Sequence, residues 1–496
     1  MLRFLAFDYG ATSGRSIVGG FDGSRLCLTE QHRFLNQPVR AFGGLSWDIL
    51  RLIHDLKAGL SLAAQDGSEF ASVGIDTWGV DVGFLDGNGA LLSNPLHYRD
   101  SLTDGILEKA FAIVPKEELY AQTGTQFMQF NTLFQLLALS LRGDLALQNA
   151  RHMLFIPDLL NYVLTGEMAS EFTVASTSQL LNMHTKDWNY DLAARFSLPS
   201  SIFPGLRKSA SVLGTLLPSI CEETGAKALP VVLTGSHDTA AAVASLPTTD
   251  RETLYISSGT WSLLGVESDS PIITEASYQA NLTNEGGLTG NIRVLKNVMG
   301  LWICNECYRQ WEKEGAIINF PELDAATAAA EGLTAFINPD DPLFFKPGNM
   351  PRRVQEYCAA TGQPVPQSKG AILRVINESL ALRYRSVVAE LEALSGVRYP
   401  KIHIVGGGSK NPMLCAYTAN ALQREVVAGP VEATACGNIL SQMLALSEIS
   451  SLAEGRELIA SSFELKTYAP KSPAEWDAAY EKYTQILAKN TNLEAK

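Results

Sequence analysis

Nowhere in the 496 residues is there an uninterrupted apolar run as long as a membrane span. The opening "MLRFLAFDYG" reaches Asp8 too early to form the core of a secretion signal. Basic clusters are also missing. Acidic side chains outnumber basic ones by 52 to 39, for a formal charge of −13. A nucleic-acid binder needs a basic surface, so nucleic acid is set aside as a partner, and so is a membrane. Cysteine is scarce, and seven is an odd number for a disulfide framework. Reduced thiols in a cytoplasm are therefore expected. Cys304 and Cys307 form the one CxxC, without the second pair that zinc normally requires. They lie in "GLWICNECYRQW", which reads as a helix carrying two core thiols.

The chain is too long for one hydrophobic core, so two domains or more are expected. "FLAFDYG", "RSIVGGF" and "RLCLTEQHRF" read as strands. "SWDILRLIHDLKAGLSLAA" has Trp47, Leu50, Ile53, Leu56 and Leu60 at helical spacing, with Ser46 as an expected N-cap. "FASVGIDTWG" is another strand, and a hairpin turns at Asp86–Gly89. Later, "KGAILRVINESLALRYRSVVAELEALSG" is a long amphipathic helix closed by Gly396. This alternation defines the α/β class.

The two halves echo each other. "FLAFDYGATSGRSIVGGFD" and "TLYISSGTWSLLGVESD" are each strand, small-residue turn, strand, and lie about half the chain apart. Two readings stay open, a duplicated domain or two similar hairpins. The polar, proline-containing "SLPTTDRET" separates them, giving domains over 1–246 and 247–496.

Several stretches carry chemistry together with a plainer alternative. "DYGATSGRS" (8–16) is a hairpin turn, or a cradle for phosphate oxygens with Arg15 as a charged donor. It is not a Walker A loop. "SSGTWS" (257–262) invites the same pair of readings. "VGGGSKN" (405–411) is a tight strand-to-helix turn, or a place where adenine or ribose approaches the backbone. "GIDTWGVD" sets Asp76, Thr77, Trp78 and Asp81 around Gly79, as in a sugar contact or an ordinary strand end. "GSHDTAAAV" (235–243) is no Ser-His-Asp triad, because adjacent residues of an extended chain point to opposite faces. Asp238 reads from this stretch alone as the N-cap of an alanine-rich helix, with a general base as the alternative.

Taken in order, "DYGATSGRS", "GIDTWGVD", "GSHDTA", "SSGTWS" and "VGGG" resemble the FGGY carbohydrate kinases over essentially the whole chain. "NTLFQL", "NLTNEGG", "LKNVMGLW" and "AGPVEA" fall in the same register. The resemblance implies two duplicated actin-like, ribonuclease H-like domains flanking a catalytic cleft. It implies transfer of the γ-phosphoryl group of ATP to a sugar hydroxyl, with Mg²⁺. Asp238 matches the proton acceptor, and Gly79, His237, Thr239 and Asn297 match sugar contacts. Ala11, Thr12, Ser13, Gly14, Arg15, Thr260 and Gly407 match ATP contacts. Asn305 stands where the family carries the longer Gln, and Asp8 matches the carboxylate nearest Mg²⁺. The rivals are a family member acting on another ketose or polyol, and an actin-like ATPase, which needs no sugar-facing base.

Overall fold

The computed structural model describes residues 1–65, 67, 69–250 and 252–494. The chain divides into two compact units. The first comprises Met1–Arg251, Glu267–Leu295 and Glu432–Phe463, and the second Glu252–Val266, Lys296–Val431 and Glu464–Lys496. Two segments from the second half of the sequence thus fold with the first unit.

In chain order, the first half supplies β1 (Leu2–Tyr9), β2 (Ser13–Phe21), β3 (Leu26–Leu35), α1 (Ile49–Gln65), β4 (Ser72–Thr77), α2 (Thr132–Arg142) and α3 (Ile156–Thr165). It ends with β5 (Ser211–Thr215), β6 (Pro230–His237) and α4 (Asp238–Ala244). There follow β7 (Leu254–Ser258), β8 (Trp261–Ser268), β9 (Thr283–Gly286), β10 (Ile292–Met299), α5 (Trp302–Lys313) and α6 (Lys369–Ser395). The last are β11 (Lys401–Val405), α7 (Pro412–Leu422), β12 (Glu425–Ala428), α8 (Ala433–Ala445) and β13 (Lys466–Tyr468).

The sheet of the first unit has the order β5-β6-β4-β1-β2-β3. Strands β1, β4 and β6 run parallel, and the β1–β2, β2–β3 and β5–β6 pairs are antiparallel. The other sheet has the order β9-β10-β8-β7-β11-β12-β13 and repeats this plan from β10 to β13. There β7, β11 and β12 run parallel, with antiparallel pairs β7–β8 and β12–β13. The echo in the sequence is therefore a repeated sheet, with β1–β2 answering to β7–β8.

Strands β1 and β4 are buried on both faces, which is why they read as nearly continuous apolar runs. Phe4 and Ala6 pack with Cys436, Ile439, Leu440 and Met443 of α8. Phe7 points to the opposite face, where a Cβ on Gly59 of α1 would come within 2.6 Å of its ring. The second unit has a cluster of Phe336, Ala381, Leu382, Ala421, Trp476 and Tyr483. The long helix α6 ends at Gly396 with φ of 68°, as expected for a left-handed C-cap. Cys304 and Cys307 lie buried in α5, and all seven cysteines are free.

One boundary differs from expectation. Helix α1 starts at Ile49, and Asp48 accepts a hydrogen bond from Arg51 N at 3.2 Å, while Ser46 ends a short strand, Gly44–Ser46. Trp47 is drawn out of the helix by two bonds, N to Pro95 O (2.9 Å) and Nε1 to Asp81 (2.6 Å). The buried stripe is accordingly Ile49, Leu52, Leu56, Leu60 and Ala63, and Leu50 is exposed.

Helix α4 contains Ala240, Ala241, Ala242 and Ala244, all buried. Its closeness to α8 explains that composition. A Cβ added to Gly437 of α8 would lie 2.9 Å from Ala241 Cα and closer still to its carbonyl. Glycine to alanine within a helix normally gains up to about 1 kcal/mol. Here overpacking of about 1–3 kcal/mol should win. Gly437→Ala is expected to lower Tm, read by calorimetry or thermal circular dichroism.

Candidate active site

Parallel pairing sets the functional groups in rows at the carboxyl ends of β1, β4 and β6, the ligand-binding edge of α/β sheets. Asp8 lies opposite Asp76 and Tyr9 opposite Thr77, while His237 lies opposite Thr77 from the other side. Paired residues of parallel strands face the same way, so Asp8 and Asp76 share a face with Phe4, Ala6 and α8. Helix α4 begins at the next residue, Asp238. The N-cap position belongs to His237, with no side-chain capping bond, so the capping role for Asp238 does not hold. Its carboxylate instead accepts a hydrogen bond from Thr239 Oγ1 at 3.1 Å and lies 3.5 Å from His237 Nε2.

The site is dense in acid. Arg15 donates to Asp8 at 2.7 Å and also pairs with Glu432, just before α8. Burial raises the Asp8 carboxyl, opposed by Arg15 and reinforced by the charge of Asp238. Asp76 is raised well above the usual carboxylate range by burial and by Asp8, against a 2.6 Å bond from Asn438 Nδ2. Its other oxygen, Oδ1, is buried without a hydrogen-bond partner. The Asp238 side chain is 30% exposed against 7% for Asp8, and Glu432, at 27%, is tied up by Arg15, so Asp238 is the reachable carboxylate without a basic partner.

The turn between β1 and β2 is braced from β3. Gly10 N donates to Ser13 O (3.0 Å), and Asn36 donates to Thr12 O (3.1 Å) and Gly10 O (3.0 Å). Ala11 and Thr12 form the turn, while Ser13, Gly14 and Arg15 already belong to β2. Gly14 has a packing reason: a Cβ would run into the Phe34 ring.

After β4 the backbone is strained. Val80, a β-branched residue, has φ of 66°. Thr177 Oγ1 accepts from Val80 N (3.0 Å) and Thr132 Oγ1 donates to Val80 O (2.7 Å). Gly79 has no room for a side chain, since a Cβ would be 2.8 Å from Thr177 Oγ1. Beside this loop Trp47 lies against Trp78 and His97, with ring centroids 4.0 and 4.2 Å away. Asp81 holds the group together, accepting from Trp47 Nε1 (2.6 Å), Trp78 Nε1 (3.0 Å), Gln135 Nε2 (2.9 Å) and Tyr98 N (3.3 Å). Burial pushes Asp81 up to about 7, opposed by these donors. Burial and Arg99 push His97 down to about 3, leaving a neutral ring whose Nδ1 accepts from Arg99 N at 2.9 Å.

In the second unit, the turn after β7 repeats the first. Gly259 N donates to Trp261 O (2.8 Å), and Thr260 O accepts from Gly300 N and Trp302 N, both at 3.2 Å. Thr260 and Asn305 are half-buried, Asn305 in the first turn of α5. The glycine turn after β11 lies against β7. Gly406 has φ of 80°, with Ser258 O 3.1 Å from where its Cβ would be. Gly407 is exposed, leaving its backbone open to a ligand. Asn297, half-buried on β10, also belongs to this unit.

These features match known proteins. Residues 3–245 match the FGGY family of carbohydrate kinases, N-terminal domain, and residues 254–446 its C-terminal domain. The chain belongs to the FGGY family of carbohydrate kinases; it is an enzyme of the class that phosphorylates sugars at the expense of ATP. Within the family it is similar to the rhamnulokinase of Bacteroides thetaiotaomicron, 45% identical over 478 residues, covering 96% of this chain and 98% of that protein. The rhamnulokinase of Oceanobacillus iheyensis is 40% identical over 465 residues, covering 94% and 98%. Among solved structures, a ligand-bound xylulose kinase from Lactobacillus acidophilus superposes with a TM-score of 0.82 at 14% identity, covering 100% of this chain and 99% of that one. A Plasmodium falciparum glycerol kinase with ADP gives 0.77 at 16% identity, covering 99% and 98%. At such identities these two show the shared fold.

The sequence did not single out His97, Glu171, Arg293 and Asn438, nor the roles of Trp47, Glu285 and Glu432. Glu285 and Glu432 sit in the quoted "NLTNEGG" and "AGPVEA", where a single acid among small residues was the available signal.

Asp81 yields a pH test. Its folded value near 7 exceeds that of a free carboxylate, so the folded protein binds the extra proton between about pH 4 and 7. Its contribution to stability is complete below pH 4 and is lost as pH rises toward 7. The stability difference between wild type and Asp81→Asn is expected to shift against the wild type over that window and level off above it, measured by chemical denaturation at each pH.

Proposed function

We propose that this chain transfers the γ-phosphoryl group of ATP to the 1-hydroxyl of L-rhamnulose, giving L-rhamnulose 1-phosphate and ADP. Similarity to rhamnulokinases over nearly the full length supports that substrate. The observation that carries the chemistry is Asp238, an accessible carboxylate fixed by Thr239 at a strand end crowded with charge. In this reading Asp238 accepts the proton of the 1-hydroxyl as the oxygen attacks phosphorus. Gly79, His237, Thr239 and Asn297 hold the sugar. Ala11, Thr12, Ser13, Gly14 and Arg15, with Thr260, Asn305 and Gly407, hold ATP. In this reading 1–246 carries the base, most of the sugar contacts and the first phosphate turn, and 247–496 the remaining nucleotide contacts, although residues 267–295 and 432–463 fold with the first unit.

The residues present suit Mg²⁺ arriving with ATP. Among the described residues no group of three His, Cys, Asp or Glu is arranged to hold an ion by itself. Mg²⁺ bound mainly through phosphates and water needs only one or two carboxylates. Asp8 would be that ligand; burial and then the charges of Asp238 and Glu432 raise its carboxyl, as burial and Asp8 raise Asp76, and a cation there would relieve that crowding. When bound, the ion neutralises charge on the phosphates. Positioning and electrostatics then supply most of the acceleration. Seven free thiols suit a cytoplasmic protein, and no helix among the described residues is long and apolar enough to cross a membrane.

The test is ADP release over a panel of L-rhamnulose, L-fuculose and D-xylulose, with wild type and Asp238→Asn. Wild-type turnover should depend on L-rhamnulose, and the variant should lose roughly 10²–10⁴-fold in kcat. A preference for another ketose overturns the substrate. Turnover that ignores sugar overturns the kinase reading, and near-normal turnover in the variant overturns the base.

A further inference from the structure

The motif "NLTNEGG" finds no place in the reaction as described, yet its acid pairs with an arginine that reaches His237. Glu285 on β9 lies directly opposite Arg293 on β10 in the antiparallel register. Such opposed residues put their side chains on one face. Arg293 Nη2 donates to Glu285 Oε2 at 3.0 Å, and Arg293 Nε donates to Gly286 O at 2.9 Å. Arg293 is fully buried and Glu285 nearly so, and Arg293 Nη1 is buried without a partner. A buried ion pair is rarely worth its desolvation as a stabiliser, and an unsatisfied donor adds to that cost. Stability alone does not explain an arginine here.

Its remaining contact is the His237 ring, where Arg293 Nη2 donates to Nδ1 at 3.2 Å. One Nη2 thus serves two acceptors, one with each hydrogen, and bridges Nδ1 and Glu285 Oε2, which lie 3.4 Å apart. A guanidinium only donates, so Nδ1 accepts and carries no proton. The ring is then neutral, with its proton on Nε2. Nε2 lies 3.5 Å from Asp238 Oδ1, longer than an N–H···O bond, so this N–H remains for another acceptor. The histidine backbone is fixed separately. His237 N donates to Thr173 Oγ1 (3.1 Å), and Thr173 Oγ1 donates to Glu171, which is buried and also accepts from Ser209 and from Ser236 N.

Resting on the reading of Asp238 as proton acceptor and His237 as a sugar contact, we infer that Arg293, braced by Glu285, is a positioning residue for the sugar. It holds His237 as the Nε2–H tautomer, so that the ring presents a donor beside the carboxylate. The hydrogen bond at one ring nitrogen sets the state of the other. Asp238, as a carboxylate, only accepts. The two side chains then offer a donor and an acceptor 3.5 Å apart. That spacing suits oxygens on neighbouring carbons: a hydroxyl that gives its proton to Asp238 and, next to it, an oxygen that accepts from Nε2. In a ketose phosphorylated at its 1-hydroxyl, the accepting oxygen is the one on C2.

The tautomer divides the work between the two neighbours. The sugar O–H bond breaks as the oxygen bonds phosphorus and ADP departs, and the proton moves to Asp238. His237 keeps its own proton throughout and holds the C2 oxygen. The other tautomer would turn a lone pair toward that oxygen and repel it. A site that keeps a donor for one oxygen rejects an analogue lacking it, because the N–H is left unpaired.

The test reads the tautomer and the rate separately. Nitrogen-15 spectra of histidine-labelled wild-type protein without substrate, assigned with His237→Asn, should show Nε2 protonated and Nδ1 bare at neutral pH. Glu285→Met/Arg293→Met removes the donor to Nδ1 and both buried charges together. It should let His237 populate the Nδ1–H form and lower kcat/KM for the ketose that the wild type prefers roughly five- to a hundredfold, with KM for ATP unchanged. An Nδ1–H ring in the wild type overturns the proposal. So does a folded double variant within twofold of the wild type in kcat/KM for the sugar, or a loss that falls equally on KM for ATP. The wild-type spectrum decides the tautomer even if the double variant fails to fold. It also does so if Asp238→Asn remains active, a result that would overturn the base and leave the tautomer standing.

Discussion

Parallel pairing of β1, β4 and β6 is the constraint on which the rest depends. Register places Asp8 beside Asp76 and His237 beside Thr77, so acidic groups far apart in sequence meet at one edge of the sheet. Burying these acids, and setting them near like charge, has a cost, visible in the raised carboxyls of Asp8 and Asp76. Arg15, Asn438 and the helix α8 that carries Asn438 offset part of it.

Packing holds that edge still. Helix α8 lies against the sheet through Ile439, Leu440 and Met443 and meets the alanine-rich α4 at Gly437. Helix α4 starts at Asp238, so a shift of α8 would move that carboxylate. The polar chain from Ser72 through Gln442 and Asn438 to Asp76 fixes the same helix by hydrogen bonds of 2.7, 2.7 and 2.6 Å. A segment from the second half of the sequence therefore completes the acidic site of the first unit.

Behind the exposed carboxylate, each neighbour is held by another buried acid. Asp81 fixes the tryptophans, Glu171 the backbone of His237, and Glu285 the arginine that meets its ring. Asp81 and Glu171 are each satisfied by several donors and Glu285 by Arg293, which suits groups that fix geometry rather than groups that turn over.

The sequence by itself determined the α/β class, the repeated strand–turn–strand, the closing glycine of α6 and the helical character of the Cys304–Cys307 stretch. These follow from periodicity and local backbone preference, which a short window contains. It also offered Asp238, though local rules favoured a cap for it. Only the tertiary structure showed that His237 takes the cap position, that Trp47 leaves its helix for Asp81, and that residues 267–295 and 432–463 join the first unit. Glu285, Arg293, Glu432 and Asn438 became functional candidates only through strand register and helix docking. Such contacts join residues dozens to hundreds of positions apart, and no local pattern encodes which of several buried acids will meet at the strand ends.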